Sequence, residues 1–106
     1  MLKVDQLTGD VASAKFHVAE YSIITLAATG AWDGATLTLQ FTPDDANVAY
    51  EDAYKEGVTI TLTQTDNIKN CEVGGGMWFQ LVASGTGAST NLGVWASGNG
   101  LYPYAS

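Results

Sequence analysis

The feature that most constrains the fold of this chain is a strict alternation of apolar and polar residues in two segments. In ATLTLQFT (35–42), Leu and Phe alternate with Thr and Gln, and in GVTITLTQT (57–65), Val, Ile and Leu alternate with Thr. A period of two places the apolar residues on one face of a strand and the polar residues on the other. Both segments therefore predict strands that cover a core on one face and meet solvent on the other.

Further strand candidates surround these two segments. They are AKFHVAEY (14–21), SIITLAAT (22–29), IKNCEV (68–73), MWFQLVAS (77–84) and NLGVWAS (91–97). Glycine-containing turns such as Thr-Gly and Asp-Gly separate the candidates, as expected for tight connections. About seven to eight short strands at this spacing predict an all-β fold, an antiparallel β-sandwich or barrel.

The length of 106 residues fits a single domain. We interpret residues 1–15 as a candidate N-terminal arm and residues 98–106 as a candidate C-terminal arm, because Pro103 cannot donate a hydrogen bond to a central strand. The acid-rich segment 43–57 is compatible either with a helical turn or with an irregular excursion between strands.

The charge balance argues against several classes of partner. Eleven acidic residues face four lysines and no arginine, which gives a formal net charge of -7. Binding to nucleic acid or to an anionic membrane surface requires clustered cations, so we expect neither. No apolar run approaches the roughly 20 residues of a membrane span. The acidity favours solubility or a basic protein partner.

The residues that could support chemistry form no recognisable motif. His17 and Cys71 are the only histidine and the only cysteine, so an intrachain disulfide is impossible and the usual zinc ligand sets are missing. We expect no enzymatic activity, no cofactor and no metal, and interpret Cys71 as a small buried apolar residue. Asp44 and Asp45 are read as turn acids, with a calcium site as the alternative.

The aromatic residues are the more informative set. Trp78 lies in a dense apolar segment, which predicts a place in the core, and Trp32 lies in a turn, where we expect it to cover one end of the sandwich. Trp95 alternates with Leu92 and Val94, so it should be exposed or covered by a partner. Tyr and Trp are enriched at interfaces, and the candidate partner-binding residues are Trp95, Leu101, Tyr102 and Tyr104.

The segment GAWDGATLTLQFTPDD (30–45) resembles a pattern found in small structural proteins of tailed bacteriophages. In that pattern a turn of the form Gly-x-aromatic-x-Gly precedes a Thr- and Leu-rich strand and an acidic turn, and a late strand like WFQLVASGTGAST (78–90) follows. This chain departs from the pattern after Phe41, where it reads TPDDANVAY (42–50). Tyr50 stands where many such proteins have tryptophan.

The resemblance implies a non-enzymatic component of the virion. Small phage proteins of this family act as capsid cement or decoration proteins. The implied partner is therefore the major capsid protein, whose shell the chain would stabilise. The resemblance also implies a homo-oligomer, a dimer or trimer, on the capsid surface after synthesis in the host cytoplasm. A tail or head–tail accessory protein is an alternative within the same class.

A carbohydrate-binding β-sandwich is the alternative from a different class. In that interpretation Trp95, Tyr50 and Tyr54 would stack on sugar rings, and Asp44 and Asp45 would accept hydrogen bonds from sugar hydroxyls.

Overall fold

The computed structural model describes residues 1–103, and in this range the chain is all-β and contains no helix. The sequence-based prediction of fold class is therefore confirmed. The strands are β1 (Leu2–Leu7), β2 (Phe16–Val18), β3 (Ser22–Ala31), β4 (Thr36–Thr42), β5 (Glu51–Asp52), β6 (Tyr54–Lys55), β7 (Val58–Thr59), β8 (Thr61–Leu62), β9 (Ile68–Val73), β10 (Met77–Ser84), β11 (Asn91–Ser97) and β12 (Leu101–Pro103).

These strands form an antiparallel β-sandwich. The first sheet has the strand order β1-β11-β3-β9. The second sheet has the order β12-β2-β10-β4-β5, and β8 also pairs with β4. A separate two-stranded hairpin is made by β6 and β7. Among the described residues no helix is long and apolar enough to cross a membrane.

The core lies between the inner faces of the two sheets. In β4, Leu37 and Leu39 are fully buried, as the alternation predicts, and Phe41 packs against the core from its margin. Leu39 lies opposite Leu81 of β10. Trp32 is 5% exposed and belongs to the same apolar cluster, so it is a core residue at the β3–β4 turn.

The prediction of one continuous strand in 57–65 is wrong. The chain changes partners at Ile60, whose N–H donates to Ala53 O and whose carbonyl accepts from Leu39 N, each at 2.9 Å. As a result β7 pairs with β6, whereas β8 pairs with β4. Leu62 is buried, but Val58 is 68% exposed at the hairpin.

The prediction that Trp78 lies in the core is also wrong. Trp78 is opposite His17 of β2 and alternates with the buried Phe79. It therefore lies half-buried on the outer face of the second sheet. In the pattern MWFQLVAS the inner set is Phe79, Leu81 and Ala83, and the density of apolar residues in this segment conceals the alternation.

The two segments interpreted as arms contribute strands at sheet edges. β1 pairs with β11 and closes the first sheet, and residues 11–13 continue along β10, where Ala12 bridges Val82. β12 pairs with β2 and closes the second sheet. Residues 43–57 form an irregular excursion, with one turn closed by a 2.9 Å hydrogen bond from Val48 N to Asp44 O.

Gly30 is required where β3 meets β11. Its φ is +128°, and a Cβ at this position would lie 2.2 Å from the carbonyl oxygen of Asn91. A side chain would therefore collide with the backbone of the paired strand. Gly30 thus fixes the close approach of the strands next to Trp32.

Candidate functional site

The predicted partner-binding residues do not form one surface. Trp95 lies on the outer face of the first sheet, whereas Leu101 and Tyr102 belong to β12 of the second sheet. Leu101 faces inward and packs against the core, and Tyr102 is 48% exposed. Tyr104 lies outside the described residues. The sandwich therefore has two separate candidate surfaces, one on each outer face.

The first surface is a row of side chains across the four strands of the first sheet, called here the Trp95 row. Its members are in register from one edge to the other: Lys3, Trp95, Ala27 and Ile68. The Lys3 ammonium lies 5.8 Å from the centroid of the indole ring, within the range of a cation–π interaction. Ile68 is 59% exposed, so an apolar strip crosses this face.

Gly93 creates the space that the indole occupies. A Cβ at Gly93 would lie 3.3 Å from Trp95 Nε1 and 3.4 Å from Gln6 Oε1. The indole therefore lies against bare backbone, which explains why a ring on an outer face is only half exposed. This arrangement holds the ring in place and leaves its remaining surface available to a partner.

The second surface begins with three rings in register across β12, β2 and β10, called here the aromatic row. His17 lies between the other two rings, with its centroid 4.7 Å from that of Trp78 and 5.0 Å from that of Tyr102. The imidazole Nδ1 is buried and has no hydrogen-bond partner. The row therefore packs by ring contact, and it attaches the C-terminal strand to the sheet.

A polar row runs beside the aromatic row on the same face. Gln80 Nε2 donates to Gln40 Oε1 at 2.8 Å, and Gln40 Nε2 donates to Asp52 Oδ1 at 2.9 Å. The amides and the carboxylate are linked in one direction across three strands, so each fixes the orientation of the next. Groups of this kind, next to aromatic rings, are suited to hydrogen bonding with hydroxyl-rich ligands.

The acidic turn after β4 belongs to the second surface through Asp45. Lys15 Nζ lies 2.8 Å from Asp45 Oδ1, and the Tyr50 hydroxyl donates to the same oxygen at 2.8 Å. The hydrogen bonds from Lys15 and then from Tyr50 hold the pKa of the Asp45 carboxyl below its ordinary value. Asp44 accepts hydrogen bonds from its own turn, from Ala46 N and the Asn47 amide.

These contacts account for both acids as members of a structured turn. The described residues contain no group of three or more His, Cys, Asp or Glu side chains placed to hold a metal ion. The set expected for sugar binding is divided, because Tyr50 and Asp45 lie near the second sheet, whereas Trp95 lies on the first. Tyr54 is exposed on the β6–β7 hairpin.

His17 and Cys71 lie on different sheets. The Cys71 side chain faces the core and is 3% exposed, and burial raises the pKa of its thiol against the smaller opposing effects of Lys55 and Lys69. The imidazole is on the opposite sheet and on its outer face. The structure therefore does not bring together a thiol and a base.

Comparisons of this chain with protein-family models, with curated proteins and with solved structures find no match. The family expected from the 30–45 pattern accordingly stays a prediction. Any function has to be argued from the two outer faces and the edges of the sandwich.

The alternation in 35–42 predicts that Gln40 faces outward, but His17, Ile68 and the grouping of Gln40 with Gln80 and Asp52 were not predicted. For His17 a signal was present, because it stands between Phe16 and Val18 in a period-two pattern and must face away from them. For the polar row no comparable signal exists, since Gln40, Gln80 and Asp52 become neighbours only through strand register.

Proposed function

We propose that this chain is a non-enzymatic structural protein of a tailed-phage virion, a capsid decoration or cement protein that binds the shell of the major capsid protein. Two observations support the proposal. The 30–45 segment resembles the pattern of such proteins, and the Trp95 row gives the outer face of the first sheet an apolar contact made by the partly exposed indole and by Ile68, which is 59% exposed. The Trp95 row carries the proposal.

The physical requirements of a cement protein fit this arrangement. An apolar strip anchored by a held tryptophan provides a contact that gains from burial of apolar area. Many copies on a symmetric shell add up to strong attachment even when each contact is weak. The net charge of -7 favours a basic patch as the complementary surface on the shell. A homo-oligomer, either a dimer or a trimer, would multiply the contacts further.

The proposal is tested by co-sedimentation of the purified chain with empty capsids of the phage that encodes it. Trp95→Ala should reduce occupancy about tenfold, as expected for an aromatic residue at the centre of a contact. Val11→Ser is the control, because Val11 is 50% exposed and lies outside the Trp95 row. Failure of the wild-type chain to bind capsids would refute the proposal. About a dozen copies per virion, instead of hundreds, would indicate a tail or head–tail part.

A second candidate function is carbohydrate binding at the second surface. The observation that favours it is the adjacency of the aromatic row to the polar row, because exposed rings beside fixed amides and carboxylates suit the faces and hydroxyls of sugars. Tyr102, at the exposed end of the aromatic row and two strands from Gln80, is the expected stacking residue for an oligosaccharide long enough to reach both rows. On a glycan array, Tyr102→Ala should abolish a signal that Trp95→Ala leaves intact. A blank array for the wild-type chain would exclude this candidate.

A further inference from the structure

β9 is the longest uninterrupted sheet edge among the described strands, although it carries charged side chains at Lys69 and Glu72. The other edges are interrupted or short: β1 has a register shift between Lys3 and Asp5, β12 contains Pro103, and β5 and β8 have two residues each. β9 pairs with β3 over six consecutive residues without a shift and contains neither proline nor glycine. A regular unpaired edge of this kind can accept another strand.

A groove follows this edge from one end to the other. Three clefts lie in succession along β9, beside Lys69–Cys71, then Cys71–Glu72, then Glu72–Gly74, with volumes of about 370, 240 and 160 Å³. The opposite wall is formed by the β6–β7 hairpin and by Ile60, which lines all three clefts. The hairpin thus stands away from β9 and leaves a slot beside the unpaired edge.

The two ends of the groove differ in chemistry. At the first end Lys55 and Lys69 line the cleft of largest volume together with one acidic residue, Glu56, so two of the four lysines of an acidic chain meet there. Lys55 makes no ion pair among the described residues, and Lys69 pairs with the exposed Asp66, a contact that an incoming carboxylate can replace at little cost. At the second end the lining is mostly apolar, with Glu72 and Tyr54 as its polar members and with Leu39, Phe41, Val73, Met77 and Phe79 among its apolar ones.

The alternation of side chains along β9 predicts how far apart a bound strand would place the side chains that occupy the two ends of the groove. Lys69, Cys71 and Val73 form the inward-facing set of β9, because Leu26 and Ile24 opposite the first two are fully buried. In an added strand, the residues directly opposite this set point to the same side. The residues opposite Lys69 and Val73 would therefore be four positions apart in the bound strand.

We propose that the β9 groove binds an extended peptide segment of a partner protein by strand addition, with a carboxylate side chain at the lysine end and a large apolar side chain four residues away in the apolar cleft. The backbone pairing supplies affinity, and the two ends supply direction and specificity. The proposal goes beyond the proposed function and does not depend on it, since it needs neither a capsid nor the Trp95 row.

The test uses capped synthetic heptapeptides and the full chain labelled for NMR. The probes are Thr-Asp-Thr-Val-Thr-Leu-Thr and the reversed order Thr-Leu-Thr-Val-Thr-Asp-Thr, which cover both strand directions. One of them should shift the amide resonances of β9 and of residues 54–60 and slow hydrogen exchange along β9. A peptide with Lys in place of Asp should bind about twofold to fivefold more weakly, the scale of one exposed charge pair.

Charge reversal in the protein distinguishes the groove from general attraction. Lys55→Glu should weaken binding of the Asp peptide about twofold to fivefold and favour the Lys peptide. Lys3→Glu, the same change at the distant β1 edge, should leave the binding of both peptides unchanged. Lys55 is exposed and makes no ion pair with any of residues 1–103, so the variant should fold normally. The proposal is overturned if millimolar peptide leaves the amide resonances of β9 unchanged or if the Asp and Lys peptides bind equally well. It is also overturned if the resonance shifts fall on the Trp95 row.

Discussion

Replacement of Trp32 by alanine tests whether this ring is structural, as its position indicates. The side chain is 5% exposed and packs in the core at the β3–β4 turn. Its carbonyl accepts hydrogen bonds of 3.0 Å from Ala35 N and from the Thr90 hydroxyl. These backbone contacts are open to alanine as well, so Trp32→Ala removes the ring and little else.

The expected cost follows from burial. Truncation of a buried tryptophan to alanine costs about 3–5 kcal/mol, because the lost transfer free energy is joined by the cost of a cavity. A domain of this length has a total stability of about 5–15 kcal/mol, so the variant should lose at least about a fifth of it. Trp95 is half exposed on an outer face, and we expect Trp95→Ala to cost about 1 kcal/mol.

The assay is urea unfolding followed by circular dichroism, since the fluorescence signal changes with each tryptophan removed. With a slope of about 2 kcal/mol/M, the midpoint should fall by about 2 M for Trp32→Ala and by about 0.5 M for Trp95→Ala. Trp32→Phe should recover more than half of the loss because it refills most of the cavity. Equal midpoints for Trp32→Ala and Trp95→Ala would refute the assignment of one ring to the core and the other to a contact.

Three further predictions concern the backbone, the acidic turn and the thiol. Gly30→Ala should destabilise the domain by about 2 kcal/mol or more, from positive-φ strain and collision with the paired strand, whereas Gly9→Ala, with no atom within 4 Å of the added Cβ, should change thermal stability by less than about 0.5 kcal/mol. The fold lowers the pKa of the Asp45 carboxyl from 3.8, so the contribution of Asp45 to the stability of the domain is complete above pH 3.8 and is lost as the pH falls through the lower, folded-state pKa. Lys15→Met should raise the folded-state pKa of Asp45 toward 3.8 in a carboxyl NMR titration. An unchanged pKa would contradict the contact between Lys15 and Asp45. Cys71 should react with a thiol reagent at pH 8 only in denaturant, because burial raises its pKa and blocks access; rapid reaction of the folded chain would contradict its place in the core.

The parts of the fold that the sequence predicts are those fixed by local pattern. Alternation in 35–42 identifies the buried set Leu37 and Leu39 because β4 is paired on both sides and keeps one face on the core throughout. The same alternation fails in 57–65, since Ile60 bonds to two different segments and the chain turns between sheets there. Period two reports which residues share a face, but not where a strand changes partner.

The candidate surfaces depend on strand register, which local patterns in a single sequence do not reveal. His17, Trp78 and Tyr102 are far apart in the chain, and they become one row only because β2 pairs with both β10 and β12. The β9 groove could not be predicted from the sequence for a related reason. IKNCEV predicts a strand, but its unpaired edge and the slot beside it follow from where the hairpin lies.

The position of the two surfaces makes their functions separable. Trp95 and Tyr102 lie on the outer faces of different sheets, and two packed sheets are about 10 Å apart, so the two side chains share no contact. The effects of substitutions at these two sites on the free energy of unfolding should add. A substitution on one face should leave binding at the other face unchanged. A loss of capsid binding with Trp95→Ala alone therefore assigns the shell contact to the first sheet. The second sheet then remains free to face outward from the shell, which is the orientation that carbohydrate binding by a decoration protein requires.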